Sequence, residues 1–148
     1  MIPPDLPFAL YVIIAELAAT YLVHCPAHYV VGRLVGIRFR NIRLGRTTLA
    51  KALPARYAGL ARLFPILTLS TDKASLAQAS KGRAAAMYAS GTVASVSSAF
   101  VIAGVATFTE AFLPAAIAWL VAIGYLMFDV VFSPKSGDIM KARAALRA

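Results

Sequence analysis

Residues 6–28 read LPFALYVIIAELAATYLVHCPAH, an apolar run that contains one acidic residue, Glu16, and ends in two histidines. About 20 helical residues are enough to cross the hydrocarbon core of a bilayer, and this run meets that length. Its helical pattern extends to about Ile37. His24 and His28 are four residues apart, so on a helix they share one face and can bind one metal ion. The stretch predicts a membrane helix with a candidate metal site near one end.

The whole chain has the composition of an integral membrane protein. Of its 148 residues, 60% are hydrophobic and only 14% are charged, and the mean hydropathy is +0.74. Soluble domains carry about a quarter charged residues. The sequence therefore predicts an all-α polytopic membrane protein, a single membrane domain over 1–148. Its predicted parts are three transmembrane helices at about 6–28, 83–108 and 113–132, a basic, partly strand-like loop at 38–82 and a basic tail at 133–148.

The basic residues predict an orientation in the membrane. Eleven of the fifteen Lys and Arg lie between Arg33 and Arg83, and the other four lie in the C-terminal tail. Three spans place the loop and the tail on one side, which the positive-inside rule makes cytoplasmic, with the N-terminus outside. We therefore expect a protein of the cell membrane. The net charge of +9 suits this topology and contact with anionic lipid headgroups, and no aromatic-interleaved basic motif suggests nucleic acid.

The same topology brings a carboxylate to the membrane face that holds the histidines. Asp138 follows the third predicted span, in the segment SPKSGD. Two His and one carboxylate form a ligand set for a zinc ion that keeps an open position. The histidines could instead hydrogen bond across helices or reach towards headgroups. Pro26 bears on this choice, because a helix that breaks there would turn His24 and His28 apart.

The segments around the second span carry weaker patterns. Residues 38–44 alternate basic and apolar side chains, which predicts a short strand or an interfacial ribbon. Residues 51–62 place basic side chains on a partly apolar helical pattern, which indicates a segment on the membrane surface. The second span is rich in Ala, Ser and Gly, and small residues allow helices to approach closely in lipid. We therefore predict that it is the packing centre of the bundle.

The order of these motifs resembles the core of the site-2 proteases, which are intramembrane zinc metalloproteases. That family has HExxH on a membrane helix, where this chain has HCPAH at 24–28, and a G-I/V-x-V segment leading to F-x-L-G, where it has GRLVGIRF at 32–39 and IRLG at 42–45. The family's A-G-P-x-x-N element corresponds to SGTVAS at 90–95. Its N-x-x-P followed by L-D-G corresponds to DVVFSPKSGD at 129–138.

The resemblance implies zinc as the cofactor, with His24, His28 and Asp138 as its ligands. Three positions depart from the family pattern: Cys25 replaces the Glu that serves as general base, Gly and Asp are reversed at 137–138, and Ser95 replaces an Asn. A thiol is a poor substitute for that base and would more readily bind zinc as a fourth ligand, although its place beside His24 makes this awkward.

The other acidic residues offer no clear replacement for the lost base. Glu16 precedes His24 by two helical turns, roughly 12 Å along the axis, which is too far to act on a water at the His pair. We expect Glu16 to be protonated or hydrogen-bonded to Ser or Thr of the second helix. Glu110 and Asp129 are expected near helix ends, in contact with solvent.

Three functions remain open on this sequence. The first is a site-2-protease-like protein that has lost proteolysis and serves as a binding, regulatory or structural membrane subunit, with or without zinc. The second is an active intramembrane zinc metalloprotease with a rearranged general base. The third is a scaffold subunit that accompanies other membrane protein subunits in a larger complex. The missing Glu favours the first, so we expect no enzymatic activity.

Overall fold

A computed structural model describes residues 5–45, 66–109 and 111–147. It confirms an all-α protein with three helices long and apolar enough to cross a membrane, over Leu6–Leu34, Lys81–Thr107 and Phe112–Lys135. The elements in chain order are α1 (Asp5–Leu34), β1 (Phe39–Gly45), β2 (Ile66–Thr71), α2 (Lys73–Gln78), α3 (Lys81–Thr107), α4 (Phe112–Ser136) and α5 (Asp138–Arg147). The predicted surface segment 51–62 and Glu110 lie outside the described residues.

Helix α1 is continuous through the histidine pair. Pro26 lies inside the helix, on its exposed surface. The helix does not break at Pro26, so His24 and His28 are not turned apart. The helix has 30 residues, about 45 Å, and therefore extends past the predicted end of the span at residue 28. Both histidines accordingly sit within the helix, more than one turn before its last residue.

A turn at Gly36 ends α1 and leads into the first strand of the sheet. The Ile37 amide donates to the Gly32 carbonyl at 2.8 Å and the Gly36 amide donates to the Arg33 carbonyl at 3.1 Å, the paired bonds of a Schellman motif. Gly36 has φ of 87°, which L-residues with a Cβ rarely adopt. Ile37, the residue after it, is fully buried and fixes the chain against the bundle.

The small antiparallel sheet packs beside the end of α1. Strand β1 confirms the predicted strand at 38–44 and pairs with β2 along most of its length. A Cβ on Gly32 would meet the Phe39 ring at 2.5 Å and the Met87 side chain at 3.0 Å. The glycine thus lets β1 lie directly against α1 where α3 also approaches.

Helix α3 is the packing centre of the bundle, as its small residues predicted. It contacts α1, α4 and α5, and most of its buried positions are small. Its alanines form one apolar core with Val12 of α1 and alanines of α4; this alanine core consists of Val12, Ala99, Ala103, Ala106, Ala118 and Ala122. Large apolar side chains instead cover the outer faces of the three long helices, as lipid contact requires.

A tight reversal connects α4 to α5 and decides where Asp138 points. The Ser133 carbonyl accepts from the Gly137 amide at 2.9 Å, and the Ser133 hydroxyl accepts from the Ile139 amide at 3.3 Å. A Cβ on Gly137 would meet the Ser133 hydroxyl oxygen at 2.6 Å, so the close turn requires glycine. Helix α5 therefore folds back onto α3, with Asp138 at its first position.

We expect Gly36→Ala to lower the free energy of unfolding by about 1 kcal/mol, because alanine must then adopt a positive φ. Nothing lies within 4 Å of a Cβ built on Gly36, so the effect is conformational and not a clash. Gly82→Ala is the matched control: it has equal space, lies in the first turn of α3, and should be neutral or stabilising. Denaturant unfolding in detergent micelles measures both, and equal effects would contradict the turn assignment.

Candidate metal centre

The structure brings together the three residues singled out in the sequence. His24 and His28 extend from one face of α1, and Asp138 reaches them from the first turn of α5. Each Nε2 lies 3.0 Å from Asp138 Oδ2, and the two Nε2 atoms are 3.3 Å apart. The side chains are 31%, 12% and 17% exposed for His24, His28 and Asp138, so the cluster is largely sheltered.

Hydrogen bonds to the backbone and to α3 hold both imidazole rings. His28 Nδ1 lies 2.7 Å from the Met87 carbonyl, which can only accept, so Nδ1 carries the hydrogen. Ser95 donates its hydroxyl hydrogen to the Thr20 carbonyl at 2.9 Å and therefore accepts from His24 Nδ1 at 3.1 Å. In both neutral rings the Nε2 lone pair then faces the cluster.

Three acceptor atoms thus face one another across about 3 Å. Two imidazole lone pairs and a carboxylate oxygen repel one another unless a cation lies between them or a ring takes up a proton. In a tetrahedral zinc site with bonds of about 2.0–2.1 Å, neighbouring ligand atoms are roughly 3.3 Å apart, close to the separations observed. The group could hold a metal ion. Its geometry does not by itself select which metal.

Asp138 is held as a carboxylate by its neighbours. Burial alone would raise its pKa, but hydrogen bonds that the rings of His24 and His28 donate when protonated, together with the nearby Lys141 ammonium, outweigh burial, so the pKa of Asp138 lies well below its usual range. Lys141 Nζ donates to Oδ1 at 2.9 Å, leaving Oδ2 directed at the histidines. The carboxylate is therefore both charged and oriented before any ion binds.

A glycine on α3 makes room for the His28 ring. A Cβ built on Gly91 would overlap His28 Nε2 and lie 2.7 Å from Cε1, so any side chain there would displace the ring. The role of Gly91 could not be read from its residue type alone, because α3 contains other glycines. Ser95 was noted in the sequence only as a departure from a family Asn, yet it is the hydroxyl that orients His24.

Cys25 does not belong to the ligand group. Its thiol donates to the Leu67 carbonyl of β2, with 2.6 Å between sulfur and oxygen, and so turns towards the sheet. The cluster of ligand atoms contains His24, His28 and Asp138 alone among the described residues. In this arrangement Cys25 connects α1 to β2 and is not the fourth ligand considered from the sequence.

A cavity of about 680 Å³ opens beside the three residues. Its wall combines Cys25, residues of β2, and the aromatic residues Tyr21, Phe39, Tyr88 and Tyr125. Among the described residues, Asp138 is the only carboxylate in that wall. Space next to the ligands would leave a bound ion accessible to another molecule.

Two further carboxylates of the long helices, Glu16 and Asp129, have oxygen atoms buried inside the bundle. Both oxygens of Glu16 and Oδ2 of Asp129 are buried and have no hydrogen-bond partner among the described residues. Asp129 lies about two turns before the end of α4 at Ser136. The residue is partly exposed and lines a second cavity, although its Oδ2 is buried. For Glu16 the predicted hydrogen bond to a Ser or Thr of the second helix does not form.

No family model, curated protein or solved structure matches the chain. The class of protein therefore follows from fold and site: a helical protein with three candidate membrane spans and a His–His–Asp group that could hold a metal ion.

We expect Gly91→Ala to weaken binding of a divalent metal at least tenfold, because the added methyl displaces the His28 imidazole. The matched control is Gly104→Ala on the same helix, where a Cβ meets nothing within 4 Å. Titration with Co²⁺, followed by its visible absorption, compares the two variants with the original protein. Unchanged affinity in Gly91→Ala would contradict a role for His28 in metal binding.

Proposed function

We propose that this is a site-2-protease-like membrane protein that binds zinc through His24, His28 and Asp138, has lost peptide hydrolysis, and serves as a binding, regulatory or structural subunit in the membrane. The observation that carries the metal assignment is the approach of three acceptor atoms to within 3.0–3.3 Å, with each ring held through its other nitrogen. Such outer hydrogen bonds are typical of metal-binding histidines.

Zinc suits the donor set better than magnesium or calcium. Two imidazoles and one carboxylate are ligands that zinc prefers, whereas magnesium and calcium favour oxygen atoms alone. Three protein ligands leave one position open, and the neighbouring cavity gives that position space. A bound zinc would supply a Lewis acid there, able to hold a water molecule or a polar group of a partner.

The missing general base argues against hydrolysis. Peptide cleavage at zinc requires a group that accepts the proton of the attacking water, usually a carboxylate. Cys25 stands where the family has Glu, and its thiol points to the Leu67 carbonyl. Glu16 is buried away from the cavity, and Asp129 lines a different cavity. A ligand at the metal would thus be bound without being cleaved.

The distribution of Lys and Arg supports one orientation of the chain in the cell membrane. We infer an external N-terminus, with the basic loop and the tail on the cytoplasmic side, because these segments hold nearly all Lys and Arg. Helix α5 adds the basic residues Lys141, Arg143 and Arg147 on the same side, and we expect them to favour anionic lipid headgroups. Other membrane subunits remain candidate partners of the cavity.

Zinc content tests the metal assignment. Protein purified in detergent is expected to contain about one zinc per chain, and His24→Ala, His28→Ala and Asp138→Asn should each lose it. Asp72→Asn is the matched control, because this carboxylate pairs with Arg40 on the sheet, away from the cluster. Absence of zinc from the original protein after zinc supplementation would overturn the metal site and leave the scaffold function.

Restoring the family residue tests the loss of proteolysis. We expect the original protein to leave a transmembrane reporter uncut, and Cys25→Glu to raise cleavage by about a hundredfold or more over background, since a general base contributes rate factors of that order. Cys25→Gln matches Glu in size without its basicity and should stay inactive. Cleavage by the original protein that disappears in His24→Ala would contradict the proposal and favour an active protease with a rearranged base.

A further inference from the structure

Glu16 is the most completely buried carboxylate among the described residues and takes no part in the candidate metal centre. It is 1% exposed, and neither carboxylate oxygen has a hydrogen-bond partner in the described part of the chain. It lies in the first apolar run, within α1, in a helix that is a candidate membrane span. An acidic residue in such a position is costly and rarely lacks a function.

The residues one turn to either side place Glu16 at a boundary. Val12, one turn before it, belongs to the alanine core. Thr20, one turn after it, and Leu17, its chain neighbour, both line the cavity of the metal centre. Glu16 therefore lies just beyond the inner end of that cavity, between the apolar alanine core and the polar cavity wall.

Among the described residues, no charged group forms a hydrogen bond or ion pair with Glu16. The part of α3 from Thr92 to Thr107 contains no titratable side chain, and α4 offers only Tyr125, Asp129 and Lys135. None of these groups hydrogen bonds to Glu16. An unpaired carboxylate in this apolar interior would cost several kcal/mol, whereas the neutral acid removes that charge.

We propose that Glu16 is an intramembrane proton-binding site, loaded in the resting protein, which exchanges its proton with water in the cavity past Thr20. On release the carboxyl proton moves to cavity water and leaves a carboxylate; uptake is the reverse. The ligand of this site is a proton alone, since Glu16 and Thr20 supply too few oxygens to enclose a metal cation. The site does not depend on zinc binding.

Infrared spectroscopy of the full-length protein in detergent tests this proposal directly. A protonated carboxyl gives a carbonyl band above the amide I band, and this band should be present at neutral pH and shift down in D₂O. Glu16→Gln, which is isosteric and uncharged, should lose it. Asp129→Asn is the matched control, because Asp129 also has a buried unpartnered oxygen, and it should keep the Glu16 band.

Three results would overturn the proposal. Absence of the band in the original protein would show that Glu16 is ionised. A band that survives Glu16→Gln would belong to another group, and a Glu16 band that does not shift in D₂O would exclude exchange with the cavity. None of these results bears on zinc content, so failure here is distinguishable from failure of the metal site.

Covalent labelling keeps the test independent of the folding of the variant. An apolar carbodiimide reacts with a protonated buried carboxyl: the carboxyl proton moves to a reagent nitrogen, the oxygen bonds to the central carbon, and acyl migration gives an N-acylurea. The whole reagent is retained, so the mass rises by one reagent. Peptide mapping of the original protein should place the adduct on Glu16, and an adduct found only on other carboxyls would contradict the proposal.

Discussion

Two imidazole nitrogens and one carboxylate oxygen, each an acceptor, are held within 3.3 Å of one another where α1, α3 and α5 meet. This arrangement is unfavourable by itself, because like partial charges are brought together in a sheltered place. The fold maintains it through contacts outside the triad. Ser95 and the Met87 carbonyl hold the rings, and Lys141 holds the carboxylate. A cation at the centre would turn the repulsion into binding energy.

Close backbone approach makes that meeting point possible. Gly91 admits the His28 ring against α3, and Gly137 allows the reversal that returns α5 to the bundle. Each glycine is needed for space at one contact. The candidate metal centre thus depends on how three helices pack together. A methyl group at Gly91 would displace a ligand and is expected to weaken metal binding as directly as the loss of that ligand.

The interior of the bundle has an apolar part and a polar part, which follow one another along α1. One part is the alanine core, and the other is the cavity beside His24, His28 and Asp138. Glu16 lies at their boundary. The proposed proton on Glu16 and the proposed zinc at the histidines would each neutralise a buried acidic site. Cys25 turns towards β2 at the position where a hydrolytic site requires a base, which is why the proposed role is binding and not cleavage.

The amino-acid sequence is enough to predict the class of fold, because three apolar runs longer than a bilayer core admit few alternatives, and it also predicts strand β1 through its alternating pattern. It also singled out His24, His28 and Asp138, since topology alone places their segments at one end of the bundle. Three features depend on the tertiary structure: α1 continues through Pro26, Ser95 orients His24, and Oδ2 of Asp129 is buried. These outcomes depend on contacts between residues far apart in the chain, such as the 71 positions between His24 and Ser95. Periodicity and composition record which face of a helix is apolar, but not which side chain of a neighbouring helix it meets.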